Sequence, residues 1–429
     1  MGCRTGPGLL RTAAFFVKGT AMHACRVVLR FLGVVPVIVA ATVYFVTKEP
    51  VRGIDLGARL VSSEPLPGTA MESCTWDVAT SERAAFQAPQ GGGAAGPGTA
   101  YTRDATGNVD PIRAIRSAPL DAPTTLINNP YMIAFDGRRD EVLVPNCVAQ
   151  PRIAAYSTSA DKGAVASRII EGQNTRLSRT VHAIAYDEIH DEIVVQSNMG
   201  QAVVTYRGGA NGDEAPLRII QGPKTLLRDP VSLFIDPVHE EYFVFNAGTD
   251  DTMLVYDRMA NGDAAPKRVL KGPGMIHGVG AIDPVTNLMF ISGQNNGLLV
   301  YDRMAEGTTP PLRTIGGGPI SGLMAPGRIV VYPGTRSIVV TSSDGNGARE
   351  PDTKDLLPGP YVGVWNEDDS GDVPPRYTIA KGHLYMPRGL TLDPKKKTVI
   401  VSDQYKYSVM TFSLPELYDH VAASQTAQR

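Results

Sequence analysis

Six polar residues have the spacing to act together: Asn146, Ser197, Asn246, Asn295, Ser342 and Asp403. Each stands at or just past the end of an apolar run, at intervals of 47 to 61 residues. Amide, hydroxyl and carboxylate oxygens brought together from separate segments can hydrogen-bond a polar ligand. The set is nevertheless short of carboxylates, because Glu141, Glu192 and Glu241 open their runs instead of closing them. Those glutamates are expected at the opposite edge, exposed to solvent. This pattern suits recognition better than hydrolysis, so no catalytic residue and no resident cofactor are expected.

The histidines are the other candidates for metal or general-base chemistry. His182 and His277 both precede an inner apolar run, but one position out of register with each other, and His383 lies a few residues before its own run. His190 and His239 fall in turns and are expected to be exposed. The chain carries no nucleophile elbow, HExxH, P-loop or dinucleotide fingerprint in a suitable setting. The glycines of 316–322 have no helix after them. The four cysteines show no metal-ligand spacing. Cys74 and Cys147 both follow the apolar N-terminal segment and could form a disulfide in an oxidising compartment.

The elements that would position the six rim residues are written as repeats. NGDEAPLRIIQG (211–222) returns as NGDAAPKRVLKG (261–272), with weaker copies at 306–317 and 370–382 and degenerate ones at 106–116 and 161–172. A second phrase, of the form PVSLFIDPVHEEYFVFN (230–246), also occurs six times, and a third run such as TMLVYDR follows each copy. Apolar residues alternate over five or six positions and Asp-Pro, Asp-Gly or Asn-Gly separates the runs, which is the pattern of strands and tight turns. One unit is therefore a four-stranded antiparallel meander, A to D, with a period in the range of a propeller blade. The chain enters its repeats on a C–D phrase and leaves them without a D strand. The first outer strand can thus complete the last blade and remove an open edge. The reading is an all-β, six-bladed β-propeller over 101–418, with Lys395, Lys396 and Lys397 as a solvated turn tip.

These units resemble NHL-type propeller repeats, most closely at 387–413, PRGLTLDPKKKTVIVSDQYKYSVMTFS. The resemblance covers about three quarters of the chain and implies architecture more than activity, since the fold hosts binding modules, lactonases, lyases and receptors. Lactonase-type relatives would place a calcium-like metal among a Glu, two Asn and an Asp, of which Asn146, Asn246 and Asp403 could supply part without the Glu, and peptidylglycine lyase-like ones several His around a zinc.

Ahead of the repeats, residues 1–30 carry five basic and no acidic side chains, and Phe31–Thr47 is uncharged. At about 1.5 Å per residue the segment spans roughly 26 Å, and Arg30 and Lys48 can reach the two interfaces of a bilayer. The basic flank predicts an N-terminus inside and the remainder outside. The expected order is a basic N-terminus (1–30), a transmembrane signal-anchor or cleaved signal peptide (31–47), a Gly-rich flexible linker (48–100), the propeller, and a C-terminal tail (419–429). With a formal charge of −2, nothing favours nucleic acid. The expected function is that of a membrane-tethered, extracytoplasmic binding module for a protein, cell-envelope polymer or small ligand. The alternatives are a metal-dependent lactonase or lyase and a structural subunit of a membrane complex.

Overall fold

The computed structural model describes residues 110–116, 126–127, 129–146, 151–246, 252–272, 275–293, 295–343, 359–380 and 383–419. The N-terminal basic segment, the 31–47 span, the linker, Cys74 and Cys147 lie outside them. No helix among the described residues is long and apolar enough to cross a membrane.

Six four-stranded antiparallel sheets form the blades. Blade I is β2 (Ala134–Asp136), β3 (Glu141–Pro145), β4 (Arg152–Ser157) and β5 (Arg168–Glu171). Blade II is β6 (Ile184–Asp187), β7 (Glu192–Ser197), β8 (Ala202–Arg207) and β9 (Arg218–Gln221). Blade III runs β10 (Pro230–Asp236), β11 (Glu241–Asn246), β12 (Thr252–Asp257) and β13 (Arg268–Lys271). Blade IV runs β14 (Met275–Asp283), β15 (Leu288–Gly293), β16 (Gly297–Asp302) and β17 (Arg313–Gly316). Blade V runs β18 (Pro326–Tyr332), β19 (Ser337–Ser342), β20 (Tyr361–Asn366) and β21 (Tyr377–Ile379). Blade VI is β22 (Pro387–Asp393), β23 (Thr398–Asp403) and β24 (Ser408–Ser413), and its outer strand is the N-terminal β1 (Arg113–Arg116). The closure expected from the order of phrases is therefore present. The inner strands touch in a complete ring, β2–β6–β10–β14–β18–β22 and back to β2.

Each second strand is apolar without interruption because it lies between two cores. In β11, Tyr242 and Val244 face the blade II side, and Phe243 and Phe245 face Met289 and Ile291 of blade IV. In β7, Val194 points towards blade III while Ile193 and Val195 pack with Leu143 and Ile153 of blade I. Alternation sends neighbouring side chains to opposite faces, and burying one such side chain contributes roughly 1.5–3 kcal/mol. Five of the six A–B turns share one construction, and blade V has a 3-10 turn, Pro333–Thr335, without the aspartate. Asp136, Asp236 and Asp283 each accept backbone N–H groups two and three residues on, and Asp187 and Asp393 the one three on. Before each B strand comes a left-handed residue: Asp140, Asp191, Glu240, Asn287, Arg336 or Lys397.

The NGDxAP phrase is an inter-blade girdle. Asn211 and Asn261 Oδ1 accept the backbone N–H of Ile169 and Ile219 on the outer strand of the preceding blade. Gly212 and Gly262 pair in parallel with Ile170 and Ile220, as do Gly307 with Leu270 and Gly371 with Ile315. These four glycines have φ between 58° and 72°, a region that disfavours a Cβ. Asp213, Asp263 and Asp372 then accept backbone N–H groups of the preceding blade's D–A loop, at Asn174, Lys224 and Ser321. At the closing seam Lys162 takes the glycine's place opposite Ile115.

The C-terminal strand leads into a short helix, α1 (Pro415–Asp419), which sequence periodicity did not announce. Leu417 is buried, its carbonyl accepts from Thr335 Oγ1 at 2.8 Å, and Tyr418 packs edge-on against Tyr332.

Candidate functional site

Two faces and a channel are available to a partner. On the face where the B strands end, five of the six rim residues are buried: Asn146, Ser197, Asn246, Ser342 and Asp403. For four of them the partner is the loop that leads into the A strand of the same blade. Asn246 accepts from Arg228 N at 2.9 Å and donates to Leu226 O at 2.9 Å. Ser342 Oγ accepts from Met324 N and donates to Met324 O. Asp403 accepts from Tyr385 N, Met386 N and Lys406 N. Ser197 Oγ lies 2.6 Å from Ser178 Oγ. Asn146 closes a bridge with Pro130 at the mouth of blade I. Asn295 is exposed. The structure thus brings these residues to one face, as their spacing requires, and turns the polar atoms of Ser197, Asn246, Ser342 and Asp403 onto the loops that shape that face. Among the described residues no group of three His, Cys, Asp or Glu side chains is placed to hold a metal.

The opposite face overturns one expectation. Glu141, Glu192 and Glu241 are not solvent-exposed; they are 9%, 6% and 2% exposed. Each receives the arginine that opens its own blade's outer strand: Arg168 at 2.8 Å, Arg218 at 2.5 Å and Arg268 at 2.7 Å. Glu192 and Glu241 also receive Arg258 and Arg303 from the following blade. Arg268 and its neighbours hold the Glu241 carboxyl down to about 2 against the burial that opposes them. His190 and His239 are likewise not free in solvent: their Nδ1 atoms lie 2.8 Å from Asp187 and 2.7 Å from Asp236, both fully or almost fully buried. The lysine run is exposed, as expected of a turn tip, and it also bonds across a seam. Lys395 Nζ donates to Gly137 O at 2.9 Å and Lys396 Nζ reaches Asp140 and Thr158, all in blade I.

Blade V breaks the charge pattern. Where Arg258 and Arg303 stand in blades III and IV, it has Glu367, fully buried, and the partner position on blade IV is Leu288. Burial, then the neighbouring Asp283 carboxyl, pushes the Glu367 carboxyl up to about 8. The fold therefore retains a proton that the unfolded chain releases near 4.5. This group's contribution is full below pH 4.5 and is lost as pH rises towards about 8. Glu367→Gln keeps the shape without the titration. Its melting temperature is expected to fall less than that of the natural protein across this window, and parallel curves would remove the claim.

In the channel stand Ser232 and Arg328, on the inner strands of blades III and V, and Met132, two residues ahead of β2 in blade I, each four residues before the last residue of its blade's inner strand. Tyr131, His182 and Arg388, from blades I, II and VI, stand one position earlier. Arg328 Nη1 donates to Leu233 O at 3.2 Å and lies 3.4 Å from Met132 Sδ, and Ser232 Oγ is 3.7 Å from the same sulfur. Arg388 sits over the Tyr131 ring at 5.6 Å and donates to Gln404 at 3.2 Å. The His182 and Tyr131 rings are 4.6 Å apart. The sequence reading singled out His182 and passed over both arginines. The available signal was a guanidinium inside an otherwise apolar inner strand, PGRIVVY or PRGLTLD.

No family model matches the chain, and no curated protein matches it. Among solved structures it is similar to a chain of the "Crystal Structure of Mitotic Checkpoint Complex", at 12% identity and a TM-score of 0.45, over 72% of this chain and 92% of that one. It is also similar to the "Crystal structure of WD40 beta propeller domain of Doa1", at 10% identity and a TM-score of 0.45, over 66% and 78%.

Proposed function

We propose that this propeller is a non-enzymatic protein-binding scaffold that docks its partner on the A–B turn face of blades II to IV. The observation that carries this reading is a one-sided set of apolar tips. Equivalent turn positions hold Ile189, Val238 and Val285 on these three consecutive blades, 55%, 57% and 77% exposed. On the other three blades the same position is Arg138, Gly334 or Lys395. The C–D turn tips Met259 and Met304 add exposed apolar surface on blades III and IV. Apolar side chains gathered on one sector of a surface mark interaction sites, whereas single ones do not. The buried Arg–Glu pairs beneath hold the sector rigid, which lowers the ordering cost of binding.

In this reading the blades are of NHL type. The 31–47 segment anchors the protein with its propeller on the extracytoplasmic side, the Gly-rich linker gives it reach, and no cofactor is required. The test is the triple variant Ile189→Asp, Val238→Asp, Val285→Asp in the full chain, extracted gently from its native membrane. Loss of the stoichiometric protein partner with an unchanged melting curve is expected. Retention of that partner, or a metal-bound protein with no partner, would overturn the reading.

A further inference from the structure

The channel carries two buried guanidinium groups without an ion pair. Arg328 is 8% exposed, its Nη1 meets one backbone carbonyl and a thioether, and its Nε has no partner. Arg388 is also 8% exposed and meets an amide oxygen and a ring face. Among the described residues no carboxylate pairs with either. Elsewhere among the described residues the buried arginines Arg152 and Arg268 are matched, by Glu171 and Glu241. A cation removed from water without a counter-charge is strongly disfavoured, so an uncompensated pair is anomalous. A second buried polar atom in the same cluster is also without a partner: His182 Nε2, in a residue 2% exposed.

We infer that the central channel is a binding site for a small oxyanion, a carboxylate or a phosphate, held by Arg328 and Arg388 with His182 and Tyr131 beside it. The planar guanidinium fork matches two oxygens of such a group, which a spherical ion does not exploit. Met132, Ser232 and Arg328, in contact across blades I, III and V, make the floor. Tyr131, His182 and Arg388 stand one residue nearer the strand starts, so the site opens towards the face where the B strands end. Burial, and then the charge of Arg388, lowers the His182 imidazole to about 3. It is neutral at physiological pH and offers Nε2 as a donor or acceptor without adding charge. The site is separate from the apolar sector proposed for protein docking, which lies on the opposite face.

The probes are malonate and inorganic phosphate, titrated into the full-length protein against chloride at matched ionic strength and followed by calorimetry and by melting temperature. Saturable binding of at least one is expected, with a rise of roughly 4 °C when the anion exceeds its Kd about a hundredfold. Binding should be lost in both Arg328→Met and Arg388→Met. Without anion, Arg328→Met should melt no lower than the natural protein, because it removes a buried unpaired charge of similar volume. Malonate alone binding would assign a carboxylate ligand, and phosphate alone a phosphoryl one. No saturable binding of either probe, or binding unchanged in both variants, would overturn the inference.

Discussion

Replacing Glu241 by alanine is expected to destabilise the propeller by about 3–5 kcal/mol, the cost of stranding buried cations. Three converge on this carboxylate: Arg268 at 2.7 Å, Lys267 at 2.9 Å and Arg303 at 2.9 Å, and Glu241 itself is 2% exposed. Arg303 belongs to the next blade, so the loss falls on the junction of blades III and IV and not on one sheet alone. The pH dependence has a definite sign. The carboxyl is held down to about 2 in the fold and returns to about 4.5 when unfolded. Its contribution is therefore present above pH 4.5 and disappears as pH falls towards 2. Equilibrium unfolding of Glu241→Ala should show that loss at neutral pH, with a shallower acid limb than the natural protein. A change below about 1 kcal/mol would mean that the cluster behaves as an exposed ion pair.

Ile115→Asp should be of similar or larger effect, because it acts on the strand that closes the ring. Ile115 is 4% exposed and packs in the seam core with Ile133, Val142, Tyr156, Ile400 and Val409. Its strand pairs Arg113 to Thr411 through Arg116 to Ser408, and Ile115 also bridges to Lys162 of blade I. A carboxylate there is buried without a cation. Detaching β1 leaves β24 as an open edge, an aggregation template. The expected result is a fall of about 4 kcal/mol or more, new proteolytic cleavage near β1 and irreversible thermal unfolding. Ile115→Val should cost only about 0.5–1.5 kcal/mol. Equal effects of the two substitutions would show that the strand does not carry the closure.

The architecture was readable because propeller strands advertise themselves locally. The apolar runs that reach Ser197, Asn246, Ser342 and Asp403 end at those residues as strands too, while β3 stops at Pro145 just before Asn146 and β15 at Gly293 shortly before Asn295; the missing last D strand implied β1 in blade VI. The non-local pairings were not readable. Glu241 looks exposed as a charged residue opening a strand after a turn; its partners lie 26, 27 and 62 residues further on. The NGDxAP phrase reads as a hairpin because Asn, Gly and Asp favour turns, and nothing local shows that each serves the preceding blade. Lys395 finds its acceptor at Gly137, 258 residues away, and Lys396 at Asp140, 256 residues away. The channel arginines were legible in principle, since an inner strand facing a packed channel has little reason to carry a guanidinium.

Hydrogen exchange of the full-length protein, alone and in complex with the partner recovered from its own membrane, tests the scaffold reading most directly. The account predicts new protection at the turn tips around Ile189, Val238 and Val285 and at Met259 and Met304, with the Arg138, Gly334 and Lys395 turns unchanged. Protection confined to the B-strand-end face, or spread evenly around the ring, would contradict it.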